Sequence, residues 1–386
     1  MENRSAIVQY QSQVDGVNRF LFFAPFSINL LGFHTDYTGG KTLSAGIQKG
    51  IWLYVELDKT NTLSFEYENL KTALTHDRLM KKATDSRLEF PLEIIKRFLD
   101  KGMPFHGLRL KFFSDFPNLD IHQTAATLGT ALAVGLNEIF HLKLDKPRLY
   151  ELLREAAGNL KHFFSFSNLY GVVFAKPGNI MHLDCHAFVH TYLPFEQDKY
   201  AWILIQASPS PANDSLFIDR RKRELQTAKE QINQYFEVPY LGALEGADYD
   251  WLDKLLEDEQ AKKRLRHVVN ENTRVDWAVE LLQKNSLVEF GRLMFDAHES
   301  AILDFEISDP EVDRLVRLAK DTEGVLGACM MAYNFTGYSL NLVEKETSRS
   351  FTEKVLSSFY KETGKQAIAY PVQLSGIPNQ YTKTGK

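Results

Sequence analysis

A long block of helical patterns lies between two groups of strand patterns in this chain of 386 residues. Apolar residues recur every three and four positions in the block, which predicts helices at 216–236, 248–283, 286–303 and 310–320. Apolar runs predict earlier strands at 51–57, 63–67, 107–113, 171–175, 179–184 and 201–207, with helices at 91–101, 124–140 and 147–157. Later strands are predicted at 324–332, 338–344 and 367–372, around a helix at 350–362. Helices packed on two separate groups of strands indicate an α+β fold with mixed sheets.

The length of the chain predicts two lobes. A single hydrophobic core usually stops growing at roughly 250–300 residues, and this chain is longer. No internal repeat, low-complexity tract or Gly/Ser linker separates the strand groups, so the lobes are expected to pack closely. We expect an N-terminal lobe at 1–195 and a C-terminal lobe at 196–386, with a ligand cleft between them.

The charge balance argues against two classes of partner. A formal net charge of -5 and a pI near 6.2 give no basic field to attract nucleic acid or an anionic membrane. The longest apolar stretch, at 125–136, is too short to span a bilayer, and the N-terminal residues lack a signal-peptide pattern. We therefore expect no nucleic-acid or membrane partner and a cytoplasmic location.

The cysteines and histidines predict no metal site. Cys185 and Cys329 lie far apart in apolar contexts, which is typical of reduced, buried and inert thiols. His267 and His298 do not have metal-ligand spacing with other histidines or cysteines, so capping or core hydrogen bonding is the better interpretation.

The segment 24–41 reads APFSINLLGFHTDYTGGK and combines two kinds of sequence. In its second half, His34, Asp36 and Tyr37 precede a Gly pair, which is typical of a polar ligand loop. In its first half, Phe26 and Ser27 adjoin an apolar run. We interpret the segment as a candidate active-site loop.

Three segments in a fixed order carry a family resemblance. NLLGFHTDYTGG (29–40), HESAILDFEISDPEVDRLVRLA (298–319) and GVLGACMMAYNFTG (324–337) resemble the galactokinase branch of the GHMP small-molecule kinases, and the likeness covers nearly the whole chain. The segments 215–225 and 266–275 are similar to connecting helices of that family. The resemblance implies a two-lobed GHMP kinase fold in which ATP, with Mg²⁺, phosphorylates the C1 hydroxyl of galactose in a cleft.

The first family motif departs from its pattern at the residues that carry chemistry. Galactokinases have Gly-Arg-x-Asn-Leu-Ile-Gly-Glu-His-Thr-Asp-Tyr, whereas this chain has Ser27 at the catalytic Arg and Phe33 at the sugar-binding Glu. The resemblance implies that His34 and Asp36 hydrogen-bond sugar hydroxyls. The alternative is that Asp36 and Thr35 only organise the turn, and the two interpretations have about equal weight.

The acid or base of the family falls on an amide in this chain. Counting back from HLDC (182–185) places the family's catalytic Asp at Asn168, and no carboxylate lies between Glu155 and Asp184. An amide does not take up a proton at neutral pH. The missing cation at Ser27 adds to this loss, because a transition-state arginine in related phosphoryl transfers contributes ~10³ to 10⁵ in rate, or about 4–7 kcal/mol.

The phosphate loop of the family is replaced as well. Its glycines let backbone N–H groups approach phosphates at a helix N-terminus, but FPNLDIHQTAATL stands here instead. The corresponding nucleotide-binding positions are Asn118, Leu119, Asp120 and Thr124. Asp120 followed by Gln123 is a capping-box pattern, which would place a carboxylate where a phosphate binds. Thr124 is either a Mg²⁺ ligand, as the family implies, or an ordinary helix threonine. These substitutions leave ATP and Mg²⁺ doubtful, and we assign no cofactor.

The third motif has lost most of its glycines. Cys329 and Met331 stand at the family's Arg and Thr, while Ala332, Tyr333, Asn334 and Thr336 replace four glycines. The backbone can no longer approach a ligand closely at those points. The residues that remain are Gly327, Met330, Phe335 and Gly337, which we interpret as packing positions.

These substitutions support three hypotheses. The first is a galactokinase-like protein that has lost kinase activity and binds a small sugar or sugar-like molecule, as a sensor or as the binding partner of another protein. The second is an active sugar kinase with a rearranged site and another substrate, in which Lys41 and Asp36 are the nearest replacement cation and carboxylate. The third is a purely structural subunit of an assembly.

Overall fold

The computed structural model describes residues 2–15, 17–81, 83, 85–104, 107–117, 119, 121–158, 160, 164–207, 215–244, 249–332 and 335–381. The chain forms two compact units. The first contains Met1–Ser27, Gly46–Pro177 and Gly376–Lys386, and the second contains Ile28–Ala45 and Gly178–Ser375. The predicted lobe boundary at 195/196 stays a prediction.

Helices and strands occur in both units, largely in separate runs along the chain, which is consistent with the predicted α+β class. The helices are α1 (Glu2–Gln13), α2 (His76–Leu79), α3 (Glu89–Asp100), α4 (Ile121–Ile139), α5 (Lys146–Ala157), α6 (Phe166–Val173), α7 (Ser215–Ile232), α8 (Tyr249–Leu252), α9 (Glu259–Gln283), α10 (Leu287–Leu303), α11 (Pro310–Lys320) and α12 (Ser348–Thr363). The strands are β1 (Arg19–Leu31), β2 (Lys41–Asp58), β3 (Thr62–Tyr67), β4 (Leu70–Thr75), β5 (Gly107–Ser114), β6 (Asn179–Asp184), β7 (Val189–Pro194), β8 (Tyr200–Gln206), β9 (Val325–Met330), β10 (Tyr338–Glu344), β11 (Ile368–Val372) and β12 (Asn379–Tyr381).

The first unit is built on a mixed sheet with the order β12-β1-β2-β5-β3-β4. Strand β3 pairs in parallel with β5, and β2 pairs with β5 in the antiparallel direction. Strand β1 is buried at every position from Leu21 to Leu31, so its apolar sequence is that of a central strand. Helix α4 is buried from Thr124 to Ala133, consistent with its predominantly apolar sequence.

The second unit contains an antiparallel sheet with the order β11-β8-β10-β9 and a ribbon of β6 and β7. The ribbon is extended by β2, where Lys41 to Ser44 pair with Asp184 to Met181. Helix α10 lies close against β9 at Gly291 and Gly327, where a side chain on Gly291 would overlap the carbonyl oxygen of Leu326. Glycine is therefore required at this helix–strand contact.

Three sequence predictions of local structure were wrong. The predicted strand 171–175 lies mostly in helix α6, which begins where the Ser165 hydroxyl accepts the N–H of Asn168. Short apolar runs fit a buried helix as well as a strand. The predicted helix 248–283 is divided, because Asp258 caps a new helix, α9, by accepting the N–H of Ala261. The proposed loop 24–41 is strand β1 as far as Leu31.

Both thiols are free and buried, as predicted. Burial raises the pKa of the Cys185 and Cys329 thiols well above their ordinary value, which makes them poor nucleophiles. Among the described residues, no helix is long and apolar enough to cross a membrane.

Candidate functional site

The 32–41 turn, defined as residues Gly32 to Lys41, connects β1 to β2 in the second unit. Its backbone takes positive φ at Gly32 (85°), His34 (60°) and Gly39 (75°). A 3₁₀ helix covers Asp36–Thr38, and the carbonyl of Thr35 accepts the N–H groups of Thr38 and Gly40 at 3.2 and 2.9 Å. Left-handed conformations are costly for a residue with a side chain, so the turn depends on its surroundings.

Glu271 of helix α9 accepts hydrogen bonds from the backbone at the start of the turn. Its Oε1 accepts the N–H of Gly32 at 2.8 Å and that of Phe33 at 3.3 Å. Its Oε2 accepts the Nε–H of Arg274 at 3.1 Å. The carboxylate is fully buried and the guanidinium is 8% exposed, so this ion pair lies in the interior of the second unit.

His267, one helical turn before Glu271, forms a hydrogen bond with the carbonyl of Phe33. Its Nε2 lies 2.8 Å from the Phe33 carbonyl oxygen, and because a carbonyl only accepts, Nε2 carries the proton. Its Nδ1 lies 3.0 Å from the hydroxyl of Ser300, which is 3.1 Å from Oδ2 of Asp304. Burial lowers the pKa of His267, so the ring is neutral at physiological pH.

The end of the turn is held by two further side chains of α9. Asn272 Oδ1 accepts the N–H of Lys41 at 2.9 Å. The ammonium group of Lys41 donates to both carboxylate oxygens of Asp276 at 2.7 Å. Lys41 therefore has its charge balanced by α9, although the sequence suggested it as a replacement cation for phosphoryl transfer.

The predicted sugar-binding residues occupy different surroundings within the turn. Phe33 and His34 are each 1% exposed, and the His34 ring stacks on Phe305 with centroids 5.0 Å apart. Burial, with smaller effects of His267 and nearby cations, lowers the pKa of His34 to about 3, so the imidazole is neutral. Asp36 is half-buried at the start of the 3₁₀ helix.

The predicted catalytic positions lie in the first unit. Ser27 is 4% exposed within strand β1, and Asn168 is half-buried in α6. The N–H of Asn168 donates to the Ser165 hydroxyl at 3.1 Å as part of the helix cap. Their roles in a reaction stay predictions.

The predicted nucleotide-binding positions that the structure describes, Leu119 and Thr124, are buried in the first unit. Leu119 is 3% exposed, and its carbonyl accepts the Tyr67 hydroxyl at 3.3 Å. Thr124 is fully buried in α4. Asn118 and Asp120 lie outside the described residues, and so does the predicted capping box with Gln123.

The third motif is packed into the second unit. Cys329, Met331, Ala332 and Phe335 are each 3% exposed or less. Gly327 meets the backbone of Gly291, which confirms that this retained glycine is a packing position. Tyr333 and Asn334 lie outside the described residues.

The contacts of α9 with the turn were not predicted from the sequence, although core hydrogen bonding was expected for His267. His267, Glu271 and Arg274 recur at helical spacing on one buried face of α9, and Asn272 is buried beside them. Charged residues on a buried helix face were the available signal. The structure confirms core hydrogen bonding for His267 and also for His298, whose Nδ1 accepts the N–H of Met330 at 3.2 Å. No cluster of three potential metal ligands occurs in the described part of the chain.

Comparison with known proteins identifies the fold and the family that the chain is similar to. The galactose-binding signature of galactokinases matches residues 9–57. The galactokinase of Fusobacterium nucleatum is 29% identical over 94% of both chains, and that of Clostridium beijerinckii is 27% identical over 92% of this chain and 93% of its own. The structure of Lactococcus lactis galactokinase complexed with galactose has a TM-score of 0.88, at 24% identity over 98% of this chain and 99% of that one. Methanococcus jannaschii mevalonate kinase has a TM-score of 0.65, at 13% identity over 92% and 97% of the two chains.

The structural similarities identify the class of protein, because the chain has the α+β fold of the GHMP small-molecule kinases. Within that class, its sequence is similar to the galactokinases, whose galactose-binding signature matches residues 9–57.

Proposed function

We propose that this chain is a galactokinase-like protein without kinase activity, which binds a small sugar or sugar-like ligand at the 32–41 turn and acts as a sensor or regulator. The observation that carries the proposal is the replacement of the family's acid or base by Asn168, in a stretch with no carboxylate between Glu155 and Asp184. Serine at position 27 removes the cation as well. Both replacements act on the same phosphoryl-transfer step, so their effects on its rate combine.

The residues at the phosphate loop do not fit ATP. Leu119 and Ile121 replace the family's glycines, and the buried Leu119 presents its carbonyl to Tyr67. A phosphate needs converging N–H donors, and a buried leucine in place of a glycine prevents the close approach of the backbone. We therefore do not expect ATP to bind at this position.

The ligand part of the proposal rests on the turn. Its backbone groups are hydrogen-bonded by α9, and it keeps His34, Thr35, Asp36 and Tyr37 of the family motif. The relative from Lactococcus lactis was solved with galactose, which makes galactose the first ligand to test. A regulatory role would use a protein partner. We place the protein in the cytoplasm because both of its thiols are free.

An active kinase with a rearranged site is not favoured. That hypothesis needs a free cation and a carboxylate to replace the family's pair, and Lys41 is neutralised by Asp276 at 2.7 Å. A structural subunit is the remaining alternative, and specific sugar binding would count against it.

Calorimetry and a coupled kinase assay test the proposal. We expect galactose or another sugar of a panel to bind, ATP with Mg²⁺ not to bind, and no turnover above that of a Ser27→Ala control. The galactokinase of Fusobacterium nucleatum serves as the positive control. The double variant S27R/N168D is expected to stay inactive, because the phosphate loop still lacks its glycines. Micromolar ATP binding or reproducible turnover by the wild-type protein would overturn the loss of kinase activity.

A further inference from the structure

The 32–41 turn has an unusual conformation for a connection between two strands. Three of its positions take positive φ, and one of them, His34, carries a side chain. A backbone of this kind persists only where surrounding contacts determine it more strongly than its own preferences do. Any function of this turn therefore depends on the contacts that hold it.

Helix α9 supplies contacts at both ends of the turn. Glu271 accepts the N–H groups of Gly32 and Phe33, and His267 donates to the Phe33 carbonyl. Asn272 accepts the N–H of Lys41, and Asp276 pairs with the ammonium group of the same lysine. One rigid helix thus fixes the entry and the exit of the turn.

A contribution to stability alone does not account for the Glu271–Arg274 pair. Burying a carboxylate and a guanidinium carries a large desolvation cost, and apolar residues of similar volume are often equally stabilising at such sites. An apolar side chain at position 271 would leave the N–H groups of Gly32 and Phe33 without their buried acceptor. The carboxylate therefore has a specific use, which is to orient the backbone of the turn.

We propose that Glu271, with Asn272 and His267, is a positioning residue that preforms the 32–41 turn for ligand binding, whether or not a ligand is present. The ligand part of this inference rests on the proposed function. The preformed turn itself can be tested without any ligand. The inference predicts that the turn opens locally when these side chains are changed, while the rest of the second unit keeps its structure.

Hydrogen–deuterium exchange measured by mass spectrometry, with overlapping peptides across residues 29–43, tests the inference. In Glu271→Leu and Asn272→Ala, we expect exchange in the turn to accelerate by roughly tenfold to hundredfold, the range that follows from losing hydrogen bonds to a charged or buried group. Glu271→Gln keeps an acceptor oxygen and should show a smaller increase. If Glu271→Leu does not fold, the other two variants carry the test.

The matched control is Asn341→Ala in strand β10. Asn341 is fully buried and donates to the Ile203 carbonyl and the Ser339 hydroxyl at 3.0 and 3.1 Å. These partners lie outside the turn. We expect this variant to lose global stability without selective exchange in the turn. The inference is wrong if the turn in the α9 variants exchanges no faster than in a control of equal stability.

Titration with galactose separates this inference from the proposed function. If the wild-type protein binds galactose, Glu271→Leu or Asn272→Ala should weaken the binding at least tenfold, and Asn341→Ala should leave it unchanged. Unchanged affinity in folded α9 variants would overturn the positioning role. If neither galactose nor another sugar binds to the wild-type protein, the proposed function fails, and the exchange experiment still decides whether α9 preforms the turn.

Discussion

Two segments of the second unit descend from family motifs but are held by different forces. The 32–41 turn is fixed by polar and charged side chains of α9, above all Glu271 and Asn272. The third motif is fixed by apolar packing, since Cys329, Met331 and Phe335 are all buried. Hydrogen bonds fix the direction of backbone groups, whereas apolar packing fixes volume.

The difference indicates which segment can still serve a ligand. In the turn, the supporting groups come from α9 and contact backbone atoms, including those of the substituted position 33. In the third motif, larger residues replace the glycines, and of the described ones Ala332 is buried and Thr336 is half-buried. The difference between the hydrogen-bonded turn and the packed third motif can be tested by two kinds of substitution. One kind restores a family residue, and the other disturbs the packing.

The largest loss of stability is expected when the family's Glu is restored at position 33 of the turn. Phe33 is 1% exposed, so Phe33→Glu places a carboxyl group in an apolar volume and should lower the free energy of unfolding by about 4 kcal/mol. Urea denaturation measures this change. Phe33→Leu is the control and should lose about 1 kcal/mol. A Phe33→Glu protein as stable as the wild type would mean that position 33 faces an open, hydrated volume.

The next effect concerns the packing beside the third motif. A Cβ atom on Gly291 would overlap the carbonyl oxygen of Leu326, so Gly291→Ala must separate α10 from β9. We expect a loss of about 3 kcal/mol in the same denaturation experiment. Gly158→Ala is the control, because the nearest atom to its added Cβ lies at 3.5 Å and the change should be neutral. Equal stability of the two variants would contradict a packing role for this contact.

The pair of the buried His298 and the half-buried Asp313, next to the third motif, gives a pH-dependent prediction. His298 Nδ1 accepts the N–H of Met330, and its Nε2 lies 3.4 Å from Asp313 Oδ1. Burial lowers the pKa of His298 to about 4 and raises the pKa of Asp313 to about 6, against a hydrogen bond from Ser308 and with a smaller effect of Asp309. Below pH 6.5, the unfolded His298 binds a proton more readily than the folded one, so its contribution to stability falls as the pH drops to 4. As the pH decreases from 6 to 3.8, the contribution of Asp313 to stability rises and opposes the loss from His298.

The Asp313→Asn variant should reveal how protonation of His298 changes the stability. Relative to wild type, the variant is expected to lose about 2 kcal/mol of additional stability between pH 7 and pH 4, since the opposing carboxyl group is gone. Urea denaturation at a series of pH values gives the comparison. His298→Gln should shift the profile in the opposite direction. Parallel pH profiles for all three proteins would contradict the inferred pKa shifts.

The smallest effect is expected for a conservative change in the third motif. Cys329→Ala removes a buried sulfur that makes only a long hydrogen bond, to the Leu30 carbonyl at 3.9 Å, so about 1 kcal/mol should be lost. Cys185→Ala, also buried, is the control and should behave alike. Exchange in the 32–41 turn should stay unchanged in both. A loss above about 3 kcal/mol would show that Cys329 has a specific role beyond filling volume.

Much of the fold follows from sequence patterns. Strand β10 and helix α11 lie where their periodicity predicts them, at Tyr338–Glu344 and Pro310–Lys320. The prediction failed at 171–175, because a short apolar run does not distinguish a buried helix from a strand. It also failed at 24–31, where central-strand residues were interpreted as a loop. The second half of that segment has the polar residues of a loop, whereas the first half has the apolar residues of a buried strand.

The sequence by itself determined the resemblance to galactokinases and the departures from their motifs, because Ser27, Phe33 and Asn168 are identities that no conformation alters. Only the tertiary structure decided what holds the turn. Glu271 and Asn272 lie more than two hundred positions from Gly32 and Lys41, and no local pattern predicts a hydrogen bond across that separation. Lys41, free in the sequence, is neutralised by Asp276 in the structure. Pairing of distant charges depends on how helix α9 packs, which is a property of the whole second unit.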